Sequence, residues 1–271
     1  MDNLKKLSEA EYRAAPGLNY STLKKIEVSP LHFVHARDEP QQDNKAFFFG
    51  RALHAAILEP QIFLKEFIVL PEGMKRGNSK AYKEFVSENS DKEIMTIAER
   101  DTFIKIAAKV YEHPEARKLL KARGNDFELP LFWEYRGHKL KSKLDLRNIK
   151  RKNRFTGDVK STETIEPRQF FRSAMKYDYP AQAWFYQAAN TYHTGNVDPW
   201  FWIAVEKKAP FDVAVIRATD EVLAYGKKRV DSWLEKIEQC EKSGVWPGVA
   251  PGIIDFELPA WAAENDELII D

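Results

Sequence analysis

Cysteine is nearly missing from this chain: Cys240 is the single thiol in 271 residues. That excludes an internal disulfide framework, a cysteine-based zinc site and an iron–sulfur cluster, and it fits a reducing, cytoplasmic setting. Histidine is scarce as well, six residues without a cluster, so a zinc-dependent chemistry lacks its usual ligands. No apolar run approaches the length that spans a bilayer, and the N-terminal MDNLKKLSEAEYRAAP has no apolar core of the signal-peptide kind, so no membrane partner is expected. Net charge is also lacking. Charged residues make up 31% of the chain yet cancel to +1, so binding to a polyanion must rest on local clusters and not on a global field. Internal repeats and low-complexity segments are absent.

What is present, 44% hydrophobic and 13% aromatic residues, suffices for a substantial core. We expect one domain over residues 1–271, with 245–271 as an irregular arm packed on it. Asn19 or Ser21 can cap a short helix through Leu23 and Ile26 that stops before Pro30. Further helices are expected over 46–58, 79–87 and 92–112, with a strand at 67–70 and a loop at 73–80. From Phe127 to Ser161 the period changes to two, the pattern of an antiparallel meander. Pro167 and Pro180 each open a helix, the second running to about His193. A strand pair at 200–206 and 211–217 and a helix over 220–242 follow. The fold class is α/β with a mixed sheet.

An acid, one residue and a lysine on a strand present the acid and the lysine to the same face. Asp158-Val159-Lys160 has that form, as do Asp43-Asn44-Lys45 and Glu206-Lys207-Lys208, so the spacing alone selects nothing. Context favours the first. Asp145 lies on the expected neighbouring strand, with Leu144 and Leu146 as apolar anchors for the opposite face. Two carboxylates with the Val159 carbonyl make the hard oxygen environment that magnesium prefers, and Lys160 beside them can orient a water or neutralise charge on a phosphate. Gly157 reads either as room for an approaching phosphate backbone or as a turn glycine.

A basic cluster surrounds the pair: Lys139, Lys141, Lys143, Arg147, Lys150, Arg151, Lys152 and Arg154. Lys141, Lys143, Asp145 and Arg147 share a strand face, which suits a polyanionic ligand, whereas 150–154 reads as a solvated hairpin tip. Gln182 and Tyr186 lie four apart on one helix face, as a surface glutamine and half-buried tyrosine would. His54 lies one turn after Gly50, which leaves space for another element or a ligand on that face.

In order, the Ser21 to Leu23 stretch, Ser29-Pro30, FFFGRALHAAILEP with His54, KSKLDLR with Asp145, GDVKST with Asp158 and Lys160, YPAQAWFY with Gln182 and Tyr186, and the closing WPG…ELPAW resemble the C-terminal nuclease domain of the RecE-type (exonuclease VIII) family. That family belongs to the PD-(D/E)XK superfamily, although Leu144 stands where the superfamily name expects proline. The resemblance implies a central mixed β-sheet flanked by helices, metal held by His54, Asp145, Asp158 and the Val159 carbonyl, and Lys160 as the catalytic lysine. Gln182 and Tyr186 would complete the catalytic set. It implies Mg2+, with Mn2+ able to substitute for it, and 5′-to-3′ digestion of linear double-stranded DNA from its ends to mononucleotides, leaving 3′ single strands. It also implies a ring-shaped homo-oligomer, a RecT-like single-strand annealing recombinase as partner, and a phage or prophage origin in a bacterial host. Lys24 and Arg51 are added to Lys141, Lys143 and Arg147 as candidate DNA contacts. An endonuclease or single-strand-specific enzyme of the same fold, and a non-catalytic DNA-end-binding module, remain as alternatives.

Overall fold

The fold, a computed structural model, is described for residues 7–39, 44–150, 152, 154–250 and 252–258. The N-terminal half is helical: α1 (Glu9–Ala14), α2 (Tyr20–Leu23) with a 3-10 turn at Lys24–Glu27, α3 (Pro30–Asp38), α4 (Lys45–Leu58) and α5 (Pro60–Glu66). Strand β1 (Phe67–Val69), α6 (Lys80–Glu88), β2 (Glu93–Met95), α7 (Ile97–Glu112) and α8 (Pro114–Leu120) follow. The second half holds β3 (Asn125–Tyr135), β4 (His138–Asn148), β5 (Phe155–Thr162), α9 (Pro167–Lys176), α10 (Tyr179–Thr194), β6 (Trp200–Glu206), β7 (Val213–Arg217) and α11 (Asp220–Ser243).

Most expected elements occur where the periodicity places them. The differences have local causes. Residues 93–95 leave the expected helix to pair in parallel with β1, because a capping box between Thr96 and Glu99 starts α7 afterwards. Helices α3, α5 and α8 were not expected; each carries proline in its first turn, where its fixed φ and missing N–H suit a helix start as well as a stop.

The central sheet has the order β3-β4-β5-β6-β7, antiparallel except for the parallel pair β5–β6. Arg136 and Gly137, at φ of 52° and 78°, make the two-residue turn between β3 and β4 and set their register at Tyr135 opposite His138. On one face Leu53, Ile57, Phe103 and Ile106 of α4 and α7 pack on Leu146, Val159, Ile203 and Val205. On the other, Tyr20, Phe33, Phe185 and Trp233 of α2, α3, α10 and α11 pack on Leu131, Trp133, Leu140 and Leu144. Leu144 and Leu146 therefore anchor two different clusters, not one common face. Of the C-terminal arm, Trp246 stacks on Phe33 with centroids 5.7 Å apart and Leu31 N–H donates to the Pro247 carbonyl. Ile253, Ile254, Phe256 and Leu258 are exposed, so this described part of the arm is not packed; residues 259–271 lie outside the described residues.

Helices α10 and α11 touch backbone to backbone at Gly226, where an added Cβ would sit 2.0 Å from the Pro180 carbonyl oxygen. Gly226→Ala is expected to cost about 3 kcal/mol by overpacking, lowering the melting temperature by roughly 10 °C. Gly50 in α4 has nothing within 4 Å of such an atom, and Gly50→Ala should raise stability by about 1 kcal/mol through helix propensity. Thermal melts of the two variants check both signs.

Candidate metal centre

Strands β4 and β5 pair only as far as Leu146 opposite Gly157. Beyond that point β4 stays with β3 and β5 with β6, and the sheet forks. Asp145 and Asp158 are the first residues past the last pair. Without a strand partner, the Val159 N–H donates to Asp145 Oδ2 at 2.8 Å, so the carboxylate itself closes the gap. Gly157 sits at the fork for a reason other than either expected one: its hypothetical Cβ would lie 3.0 Å from the Phe201 carbonyl oxygen, and a side chain there would push β6 away.

Helix α4 brings His54 to the same opening. Its Nε2 lies 3.0 Å from the Val159 carbonyl oxygen; a carbonyl can only accept, so Nε2 carries the proton. Nδ1 then faces Glu128 Oε1 at 3.4 Å and Asp145 Oδ2 at 3.6 Å. The Val159 carbonyl, expected as a metal ligand, fixes the orientation of the histidine. A metal-binding histidine commonly has its second nitrogen tied down in this way.

Glu128 was not anticipated. The β3–β4 register places Phe127 opposite Leu146 and Leu129 opposite Leu144 and skips the position between. There Glu128 adopts φ of 49° and turns its carboxylate toward Asp145. Donor atoms of His54, Glu128 and Asp145 lie within 4.8 Å of one another. Asp158 is outside that trio, with Oδ2 2.7 Å from Lys160 Nζ. The sequence did carry a signal: counting back from the Arg136-Gly137 turn puts Glu128 across from Asp145.

The electrostatics are those of a site short of positive charge. Burial opposes the charged form of His54, yet the Asp145 charge and the Glu128 carboxylate hold its pKa up to about 9. Burial raises Asp145, reinforced by Asp158 and Glu128 against the pull of His54. Burial would raise Glu128 too, but His54 and Lys143 carry it below the usual range. Lys160 resists its burial because Asp158 and Asp145 face it, so its pKa rises and it stays an ammonium. Glu128 Oε1 is buried without a well-formed hydrogen bond, its nearest cationic neighbour being His54 Nδ1 at 3.4 Å, and Asp158 Oδ2 is buried against the Lys160 ammonium. A buried, poorly satisfied Glu128 oxygen beside the Asp145 carboxylate and an imidazole nitrogen is a donor set that fits a divalent cation, which would take the place of the extra His54 proton.

Lys160 Nζ also lies 5.1 Å from the centroid of Tyr179. Tyr179 follows Asp178, a left-handed residue at φ 53° whose carboxylate binds Arg229 at 3.0 Å and whose carbonyl accepts from the Tyr20 hydroxyl at 2.7 Å. Gln182 and Tyr186 lie on the same helix. Tyr186 is half-buried between Tyr20 and Trp200; burial pushes its pKa well up, a side-chain hydrogen bond with Gln182 pulls the other way, and the Asp145 and Asp158 charges reach it.

Each of the candidate DNA contacts is engaged by a partner within the protein, although Lys24, Arg51 and Lys143 stay about a third exposed. Lys141 is buried and its ammonium donates to the carbonyls of Tyr12, Arg13 and Ala15 at the end of α1. Lys143 bridges Glu9 and Glu128, and Arg147 is buried against Asp126. Arg51 binds Glu93 through two hydrogen bonds, and Lys24 binds the Tyr177 carbonyl and Asp178. Arg154, read as part of a solvated tip, forms a two-pronged pair with Asp198; Arg151 lies outside the described residues. The cations do surround the carboxylates, but strand geometry turns them to structural partners.

The sequence matches the family model of the PDDEXK-like domain of unknown function DUF3799 over residues 19–256. Comparison with curated proteins gives no match. Among solved structures, a candidate exonuclease from Eubacterium rectale is similar at a TM-score of 0.64 and 16% identity, covering 98% of this chain and 96% of its own. At that identity the likeness concerns the fold.

Glu128→Ala should lower the affinity for Mn2+ or Mg2+ at least about tenfold. The measure is the rise in melting temperature on adding metal, which should shrink sharply relative to the unsubstituted protein.

Proposed function

The chain belongs to this PDDEXK-like nuclease-fold family, and on that footing we propose that it is a Mg2+-dependent exodeoxyribonuclease, with Mn2+ able to substitute. The observation that carries the proposal is the fork: three carboxylates, one histidine and one lysine converge where two strands part. A bound divalent cation would supply Lewis acidity toward a phosphate oxygen and a lowered pKa for water. His54, Glu128, Asp145 and Asp158 would hold it.

The remaining work falls to the chain itself. Lys160, kept cationic and placed by Asp158 and the Tyr179 ring, orients the attacking water or offsets charge that develops on the scissile phosphate. Val159 fixes both flanks of the site, its N–H through Asp145 and its carbonyl through His54. The Asp145 and Asp158 charges reach Tyr186, which pairs with Gln182, and these two side chains would contact the nucleotide being cleaved. The resemblance to the RecE type extends the proposal to linear double-stranded DNA, digested 5′ to 3′ from its ends to 5′-mononucleotides with 3′ single strands left behind. A ring-shaped homo-oligomer, a RecT-like annealing recombinase as partner and a phage or prophage origin in a bacterial cytoplasm follow from the same resemblance.

Magnesium-dependent release of acid-soluble nucleotides from linear duplex, with a closed circle spared, is the expected outcome. A duplex labelled at its 5′ end should lose label before one labelled at its 3′ end. Lys160→Ala should slow release about 100-fold or more while leaving the melting curve cooperative. Cleavage of the circle would make the enzyme an endonuclease, and undiminished activity of Lys160→Ala would remove the lysine from the mechanism.

A further inference from the structure

With Lys141, Lys143 and Arg147 engaged internally, the cations that meet a nucleic acid must lie elsewhere. Helix α9 buries Phe170 and Ala174 against Ala204 and turns the rest of its surface outward. Arg168, Arg172 and Lys176 are exposed and spaced four residues apart, which sets them along one side of the helix in steps of about 6 Å. Among the described residues none of the three forms an ion pair with a carboxylate. The nearby acids are occupied: Glu163 faces Lys207 and Lys208, and Glu166 accepts from the Arg168 and Gln169 amides as the helix cap. Beside the cations stand Phe171, Met175 and Tyr177, exposed by 52%, 49% and 52%.

This face is continuous with the fork. Tyr177 stacks on Tyr179 with centroids 6.1 Å apart and planes 26° from parallel, and Tyr179 is the ring beneath the Lys160 ammonium. A row of cations without carboxylate partners among the described residues, of which Lys176 lies 5.7 Å from the Tyr177 centroid, a neighbouring row of open aromatic and thioether side chains, and a stacked ring pair thus lead from the surface toward Lys160.

We propose that the outer face of α9 with Tyr177 is the track along which an unpaired DNA strand reaches the fork, an inference that rests on the nuclease reading above. Arg168, Arg172 and Lys176 neutralise successive phosphates, and Phe171 and Tyr177 offer their faces to bases. A duplex keeps its bases stacked on one another, whereas a single strand gains from such platforms. Charge complementarity selects the polyanion over an apolar protein surface, since three uncompensated cations would stay unpaired against the latter.

Anisotropy of a fluorescent single-stranded oligothymidine with the full chain, in EDTA so that nothing is cut, tests the track. The triple variant Arg168→Ala, Arg172→Ala, Lys176→Ala should bind tenfold or more weakly, with a slope of log affinity against log salt that is shallower by about 2. The pair Phe171→Ala, Tyr177→Ala should lose about thirtyfold or more at an unchanged slope, and Arg168→Lys with Arg172→Lys should keep the slope. Unchanged binding by the α9 variants overturns the track and leaves the nuclease reading intact. A drop in oligomeric mass by light scattering, with binding unchanged, overturns it by making the face a contact between copies. An unsubstituted chain that binds through α9 but never cleaves would instead overturn the nuclease reading.

Discussion

The hydrogen bond from the Val159 amide to Asp145 Oδ2 closes a gap that the sheet cannot. Where β4 and β5 separate, each loses the ladder partner it had one residue earlier, and a buried amide left without an acceptor would be costly. By accepting that bond, the Asp145 carboxylate is held in one orientation next to Asp158. The carbonyl of the same residue fixes His54. One peptide unit at a branch point thus organises both a carboxylate and an imidazole, and the side chain of Val159 anchors that unit in the core below. The constraint is geometric before it is chemical: a sheet with one mixed branch must leave unpaired backbone groups somewhere, and here those groups hold the candidate metal centre.

Much of this was legible in the sequence because strong periodicity and proline position leave few choices. The alternation from Phe127 to Ser161, and Pro167 and Pro180 as helix openers, appear in the structure as β3, β4, β5, α9 and α10. The grouping of Asp145, Asp158 and Lys160 was legible in their strand context, whereas His54, which taken alone has a commoner structural explanation, joined them only through the order of the motifs along the chain. What escaped was decided by pairing and not by pattern. Residues 93–95 were absorbed into a helix because three apolar-flanked residues cannot be told from a first helical turn until a parallel partner is known. Glu128 was hidden because its neighbours alternate normally and only the register brings it opposite Asp145. The basic strand face was placed on the right side of β4, yet charge counting could not reveal Glu9, Asp126 and the α1 carbonyls that claim its members.

Lys141 is buried on β4. It ties the end of α1 to the strand that carries Asp145 through three neutral carbonyl oxygens, and the fork is closed by an amide. Neither contact is a pairing of exposed opposite charges, so added salt screens them little. Contacts between surface cations and phosphates weaken steeply over the same range. Grip on a polyanion through the proposed track and integrity of the candidate centre would therefore respond to different variables, with ionic strength a dial that loosens the one without disturbing the other.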